Sequence, residues 1–279
     1  MSMGRTRLAL AALAAGAAVS AAAAGSAPDG PAIMDRVRMH RPQSCCIYQD
    51  LTMILSDDAG ERSVRRVRWY QRLERDGSSR LLLVFVAPAD VRGAAVLVTR
   101  DATGPARGEI YLPALGRPLD LAAGTTDATP LVGSDFRLED LLGGAPRDFV
   151  YAREADAEMD RSMHYVVRAT PVAAAARRAG DGLRRHYVRK DSFFIVRTDF
   201  HDAQGRLARR QSFRDPKQVE RGVWQADMIL MEDLGERHRT LIKVGRRVFS
   251  PEYVPAEIFS RQWLLEERHL LVDGAPFGP

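Results

Sequence analysis

Residues 80–88 read RLLLVFVAP. Leu81, Leu83 and Phe85 alternate with Leu82, Val84 and Val86, so a strand here is apolar on both faces and has to be covered on both. Another layer must therefore lie across the sheet at this point. The preceding stretches behave differently. IYQDLTMIL (47–55) sets Ile47, Leu51, Met53 and Leu55 on one face and Asp50 and Thr52 on the other, the period-two pattern of a half-wet strand. A turn at Asp57-Asp58-Ala59-Gly60 returns the chain through VRRVRWY (64–70), with Val67 and Trp69 facing one way and Arg66 and Arg68 the other. The pair is an antiparallel hairpin with one solvated face.

Strand patterns continue in AAVLVTR (94–100), GEIYLP (108–113), DFVYAR (148–153), MHYVVRATP (163–171), LRRHYVRK (183–190) and SFFIVRTDF (192–200). DMILMEDLGERHRTLIKV (227–244) aligns without gaps on TMILSDDAGERSVRRVRW (52–69), pairing Met53 with Met228 and Leu55 with Leu230. A third hairpin turns through Asp202-Ala203-Gln204-Gly205, where glycine supplies the positive φ of a tight turn. Internal repetition and shared turn chemistry both fit this likeness. The only helical pattern near the start is PAIMDRVRMHR, with Ile33, Met34 and Val37 on one face. About ten strands on one continuous sheet cannot stay flat. The fold class is mainly β, a strongly curved antiparallel sheet.

The chain has 279 residues, enough for one large domain with its own core. Arg5 and Arg7, an apolar run from Leu8 to Val19 and alanines offering cleavage near Ala24 or Ala27 read as a secretory signal over 1–27. The run is too short for an anchor, so no permanent membrane span is expected. A single domain is expected over 28–267, with 268–279 as a tail. Lysine plus arginine exceed aspartate plus glutamate by 41 to 36, and loss of Arg5 and Arg7 takes the formal charge from +5 to +3. The positive charge is almost all arginine and is interleaved with acids, which argues against a nucleic-acid partner. The two cysteines, Cys45 and Cys46, are neighbours. Buried thiols are expected there, with a small-ring disulfide the rarer state. The six histidines show no metal-ligand spacing, so neither a metal nor a cofactor is expected.

Residues 114–147 break the strand rhythm. Within them SDFRLEDLLGG predicts a short amphipathic helix over 135–142, with Ser134 or Asp135 as N-cap and Gly143-Gly144 as the stop. Phe136, Leu138, Leu141 and Leu142 form its apolar side, and Glu139 and Asp140 its solvated face. Ser134 is not read as a nucleophile: its surroundings lack the glycines and the strand–helix scaffold of a nucleophile elbow. A long loop carrying a helix in a compact β protein reads as a lid or binding element.

FVAPADVRGAAVLV (85–98), IYLPALGRP (110–118), LVGSDFRLEDLL (131–142), HYVVRATP (164–171) and GVWQADMILMED (222–233) together resemble the outer-membrane lipoprotein-sorting family, relatives of the Lol carriers (LolA/LolB-like). The resemblance runs from about residue 33 to 267. Its most specific pieces are the P-x-D-V-R-G turn, the Y-L-P-A segment and G-S-D-F-x-x-E-D-L. It implies an incomplete barrel with helices over the opening, an apolar cavity, a periplasmic location and a partner among transporters of the resistance-nodulation-division (RND) superfamily. Cys45-Cys46 and the alanine- and arginine-rich loop 169–183 depart from the family pattern.

No nucleophile, base and orienting group converge by type and spacing, so the chain is read as no enzyme. The expected function is to carry a lipid, lipoprotein acyl chain or other hydrophobic ligand. The alternative is an envelope interaction protein with a filled core. The residues expected on the concave side are Met53, Leu55, Val67, Trp69, Leu83, Phe85, Trp224, Met228 and Leu230, with Phe136, Leu138, Leu141 and Leu142 on the lid.

Overall fold

The computed structural model describes residues 27–270 except 43, 105, 122–129, 138, 141–144 and 174–181. Helix α1 (Gly30–Met39) opens the described chain. Asp29 caps it, its carboxylate accepting from the Ala32 amide at 2.9 Å, and Ile33, Met34 and Val37 are buried as the sequence pattern predicts. Gly30 is required by contact: a Cβ there would lie 2.8 Å from the backbone of Ala152.

Fourteen strands follow: β1 (Cys46–Ser56), β2 (Arg62–Leu73), β3 (Ser79–Ala87), β4 (Ala95–Arg100), β5 (Ala106–Leu112), β6 (Arg117–Leu121) and β7 (Phe149–Arg153) come first. They continue with β8 (Ala157–Met159), β9 (Ser162–Pro171), β10 (Arg184–Arg189), β11 (Ile195–His201), β12 (Leu207–Glu220), β13 (Val223–Asp233) and β14 (His238–Val248). All belong to one antiparallel sheet in the order β6-β5-β4-β3-β2-β1-β14-β13-β12-β11-β10-β9-β7, with β8 paired to β9. The hairpins at 57–60, 202–205 and 234–237 pair as expected. β1 and β14 meet along a seam from Tyr48 with Val248 to Ser56 with Arg239. The sheet does not close into a barrel. Its edges, β6 and β7, are consecutive in sequence, and β6 lies in a stretch whose proline and glycine hid it.

RLLLVFVAP lies where the sheet is three layers thick. Leu81, Leu83 and Phe85 join Met53, Leu55, Val67 and Trp69 in the inner cluster, together with Leu131 and Phe136 from the connection between β6 and β7. Leu82 and Val84 face outward into a second cluster with Tyr48, Tyr70, Val254, Ile258, Phe259, Trp263 and Leu264. The missing layer is thus the C-terminal segment, which includes helix α2 (Arg261–Leu265), whose N-cap Ser260 accepts from the Trp263 amide. Full burial of each such aliphatic side chain contributes about 1.5–3 kcal/mol. This cover runs past residue 267: His269 is buried, its ring 4.7 Å from that of Tyr111.

Three expectations change. Cys45 and Cys46 are joined as a disulfide rather than held as thiols. Met228 and Leu230 do not face inward: Met53 pairs with Ile242, which pairs with Ile229, so Ile229 and Met231 occupy the inner rows. The gapless alignment of the two hairpins is therefore out of phase with the pleat, since a one-residue offset exchanges the faces of a strand. Finally, the helix expected over 135–142 does not begin at Asp135: residues 131–136 form a tight turn, and of the described residues in that range only Glu139 and Asp140 are helical. The Leu131 amide donates to the Phe136 carbonyl at 2.7 Å, the Ser134 amide to the Leu131 carbonyl at 2.9 Å, and Pro130 bridges Arg137. Leu138, Leu141 and Leu142 lie outside the described residues.

Candidate functional site

Three cavities lie on the concave face between α1, the 130–140 segment and strands β10 to β14. A cavity of about 220 Å³ is walled by Leu51, Trp69, Phe136, Phe194, Trp224 and Ile242 among apolar residues, with Gln49, Gln71, Gln211 and Gln225 between them and Asp140 and Arg247 as its charged groups. A second, of about 180 Å³, lies under α1 with Met34, Tyr151 and Phe200 in its wall and Arg38, Arg41, Arg184, Glu139 and Asp140 as its charged groups. A third, of about 170 Å³, is lined by Val37, His40, Arg41, Phe193 and Trp224. All three share Phe213, so this ring stands where they adjoin.

Two buried ion pairs fix the 130–140 segment to the sheet. Asp140 receives Arg209 at 2.7 Å and Glu139 receives Arg184 at 2.8 Å. The Asp140 side chain is 1% exposed and that of Glu139 12%, which overturns the reading of both as a solvated face. The register explains the arrangement: Arg184, Phe200 and Arg209 are successive partners in one cross-strand row. The guanidinium groups of Arg184 and Arg209 lie 5.2 and 4.6 Å from the centre of the Phe200 ring, a favourable placement over an aromatic face. Asp135 supplies a third anchor, its carboxylate pairing with His238 Nδ1 at 2.8 Å and accepting from the Thr240 hydroxyl at 2.7 Å.

Serine, histidine and aspartate thus lie near one another, but no hydrogen bond among the described residues joins Ser134 to His238. Ser134 Oγ instead accepts from the Phe136 amide at 3.3 Å. The serine serves the turn, in place of the helix cap expected. His186, in the wall of the second cavity, binds Thr198 through Nδ1 at 2.9 Å. Burial, and after it the neighbouring Arg184, push its pKa down to about 3. It is therefore a neutral imidazole at pH 7. Burial alone would raise the Asp199 carboxyl, but hydrogen bonds from Arg197 and Arg210 outweigh it and hold the pKa below the usual range.

Of the expected site residues, Trp69, Phe136 and Trp224 line the first cavity. Met53, Leu55, Val67, Leu83 and Phe85 are in the packed inner cluster. Sequence reasoning missed Phe194, Phe213 and the four glutamines. The spacing of Gln211 and Phe213 on one face of β12 was the available signal, obscured by arginines on both sides.

A family model described as an uncharacterized protein matches residues 77–266. No curated protein sequence matches the chain. Among solved structures, the chain is similar to an outer membrane lipoprotein-sorting protein domain from Vibrio parahaemolyticus, with a TM-score of 0.78, 21% identity, and coverage of 85% of this chain and 98% of that one. A DUF1329 family protein from Desulfovibrio piger superposes with a TM-score of 0.74 at 22% identity, covering 83% and 96%. A LolA superfamily protein from Nitrosomonas europaea does so with a TM-score of 0.64 at 15% identity, covering 85% and 100%. Among the described residues no helix is long and apolar enough to cross a membrane.

Proposed function

The chain belongs to the family matched over residues 77–266 and has the LolA-like fold, and from this premise we propose that it is a periplasmic carrier or transporter-accessory protein that binds a hydrophobic ligand without transforming it. The observation that carries the reading is the junction at Phe213, where three adjoining cavities combine aromatic walls with glutamine amides and an arginine rim. Space of this kind suits an amphipathic molecule, its acyl part against Phe194, Phe213 and Trp224 and its polar end toward Arg38 and Arg41. Trp69 adds a buried indole N–H with no partner among the described residues, a donor that a ligand oxygen would satisfy. A lipid or a lipoprotein acyl chain is the ligand class. The secretory signal over 1–27 and an RND-superfamily partner belong to the same proposal.

The segment 130–140 enters this reading as a fixed wall of the cavity, held by Asp135, Glu139 and Asp140, in preference to a hinged lid. A second reading, a filled scaffold that docks on an envelope assembly, is favoured by the dense packing around Phe85 and Phe136. Two measurements separate them. Native mass spectrometry of protein purified from a membrane extract should show lipid adducts, and titration with a fluorescent fatty acid should saturate. Phe213→Glu, which puts a charge at the junction, should weaken uptake at least ten-fold. Absence of adducts together with non-saturable binding would leave the scaffold reading in place.

A further inference from the structure

The outer face of the central strands carries a pattern that the concave site does not use. Ser56 pairs with Arg62 on β2 and with Arg239 on β14. Two residues along, Ile54 pairs with Val64 and Leu241, and Leu241 with Leu230. Two further along, Thr52 pairs with Arg66 and Lys243, Lys243 with Met228, and Met228 with Arg214. Because Leu51, Met53 and Leu55 point into the inner cluster, these three rows lie on the opposite side. They form an apolar row between two cationic ones, five strands wide, with roughly 7 Å from row to row.

The cations are free to act on something outside the chain. Arg62, Arg66, Arg214, Arg239 and Lys243 are all exposed, and among the described residues none of the five is in an ion pair. Glu232, beside Arg239, is the acid of the first row, and Arg210 next to it is committed to Asp199. Among the described residues, the C-terminal segment covers the outer face around Cys46, Tyr48, Tyr70, Leu82, Val84, Ala95, Leu97 and Tyr111, short of these rows. Val64 in the apolar row is 51% exposed.

We propose that this outer face docks the protein reversibly on an anionic phospholipid leaflet. A curved sheet is convex on this side and offers a broad surface, which suits a plane better than a single bound strand or helix. Arginine favours phosphate through its planar fork of donors. Its aliphatic stem lies along Val64, Ile54 and Leu241 while the guanidinium reaches the headgroups. Each basic residue close to an anionic surface raises partitioning about five-fold, so five of them suffice for weak, salt-sensitive attachment. The proposal is independent of the carrier reading, because it uses the other face of the sheet.

The test is co-sedimentation of the mature chain with vesicles of phosphatidylethanolamine and phosphatidylglycerol at 3:1, against phosphatidylcholine alone, at low and high salt. Binding to the anionic vesicles that falls as salt rises, and at least ten-fold weaker binding to phosphatidylcholine, is expected. Arg66→Glu with Lys243→Glu should reduce binding at least ten-fold, whereas Arg75→Glu with Arg107→Glu, equal in charge but outside these rows, should leave it within two-fold. An unchanged urea-unfolding midpoint in the first double variant shows that its fold is intact. Equal binding to both vesicle types, equal loss in the two double variants, or no vesicle binding at all overturns the proposal; in the last case an acidic protein is the partner to seek.

Discussion

On the β6 side of the β1–β14 seam, the concave face is hydrocarbon: Leu83, Phe85, Val96 and Val98 pack with Phe136 laid across them. On the β7 side the same face carries Arg184, Arg209, His186 and Gln211, with Glu139 and Asp140 brought down from the crossing segment. Both sides bury their side chains, but by different means. Aliphatic side chains interdigitate and fill space in any of several packings. Guanidinium–carboxylate pairs need fixed distances and leave gaps around the groups that must stay apart. The cavities accordingly border the charged side and the seam, whereas the apolar side is packed. The space on which the carrier proposal rests follows from this uneven packing.

The strongest way to break the comparison is to open the packed side. Phe85 is fully buried, and Phe85→Ala should cost about 4 kcal/mol in urea unfolding without raising the affinity for a fluorescent fatty acid. If the variant gains fatty-acid binding instead, the apolar side is itself a ligand chamber and the division fails. The next effect belongs to the charged side. Asp140→Ala strands Arg209 in a buried setting and should cost about 3 kcal/mol. Combining Asp140→Leu with Arg209→Met should recover most of that loss, because apolar groups of similar volume escape the desolvation of both charges. Recovery of stability with loss of ligand uptake would show that the pair positions the segment rather than stabilising the fold.

The sequence was readable where one face of a strand is uniform. RLLLVFVAP demanded a second layer, and that layer exists in Ile258, Trp263 and Leu264. IYQDLTMIL and VRRVRWY placed Leu51, Met53, Leu55, Val67 and Trp69 inward, as observed, because Asp50, Thr52, Arg66 and Arg68 mark the other face, even though Ile54 and Val64 share that other face. LRRHYVRK gave no such cue: Arg184 faces inward and Arg185 pairs with Glu154, so charge on both faces conceals which side is dry. Met228 and Leu230 were misplaced by a likeness of turns that carried no information about pleat phase. The cavity walls at Gln211, Phe213 and Gln225 depend on partners far along the chain, which alternation within one strand cannot report.

His186 sharpens the contrast through pH. Its folded pKa of about 3 lies below the ordinary histidine value. Above pH 6.5 the imidazole is neutral in both states and contributes no pH dependence. As pH falls below that value the unfolded chain takes up a proton that the folded protein does not, so stability is lost progressively from about pH 6.5 toward pH 3. Between pH 7 and pH 5 this amounts to about 1–2 kcal/mol. His186→Gln, which retains a partner for Thr198, should remove that part of the pH dependence. An unchanged slope in urea melts at the two pH values would mean that the imidazole is not held neutral.

The smallest effect is at Ser134, where the turn meets the boundary between the two sides. The hydroxyl accepts one bond of 3.3 Å from the Phe136 amide. The turn also has two backbone hydrogen bonds of its own and the Asp135 clamp on Thr240 and His238. Ser134→Ala should therefore cost about 0.5–1 kcal/mol and leave fatty-acid uptake unchanged. Hydrogen exchange distinguishes the two structural roles a serine has at this position. Loss of a turn bond should speed exchange at the Phe136 amide alone, whereas loss of a helix cap would spread to the amides of 137–140. A third outcome, abolished function in a folded Ser134→Ala protein, would bring the nearby Asp135–His238 pair into a chemical role and overturn the carrier reading, since a binding wall does not depend on one hydroxyl turned toward its own backbone.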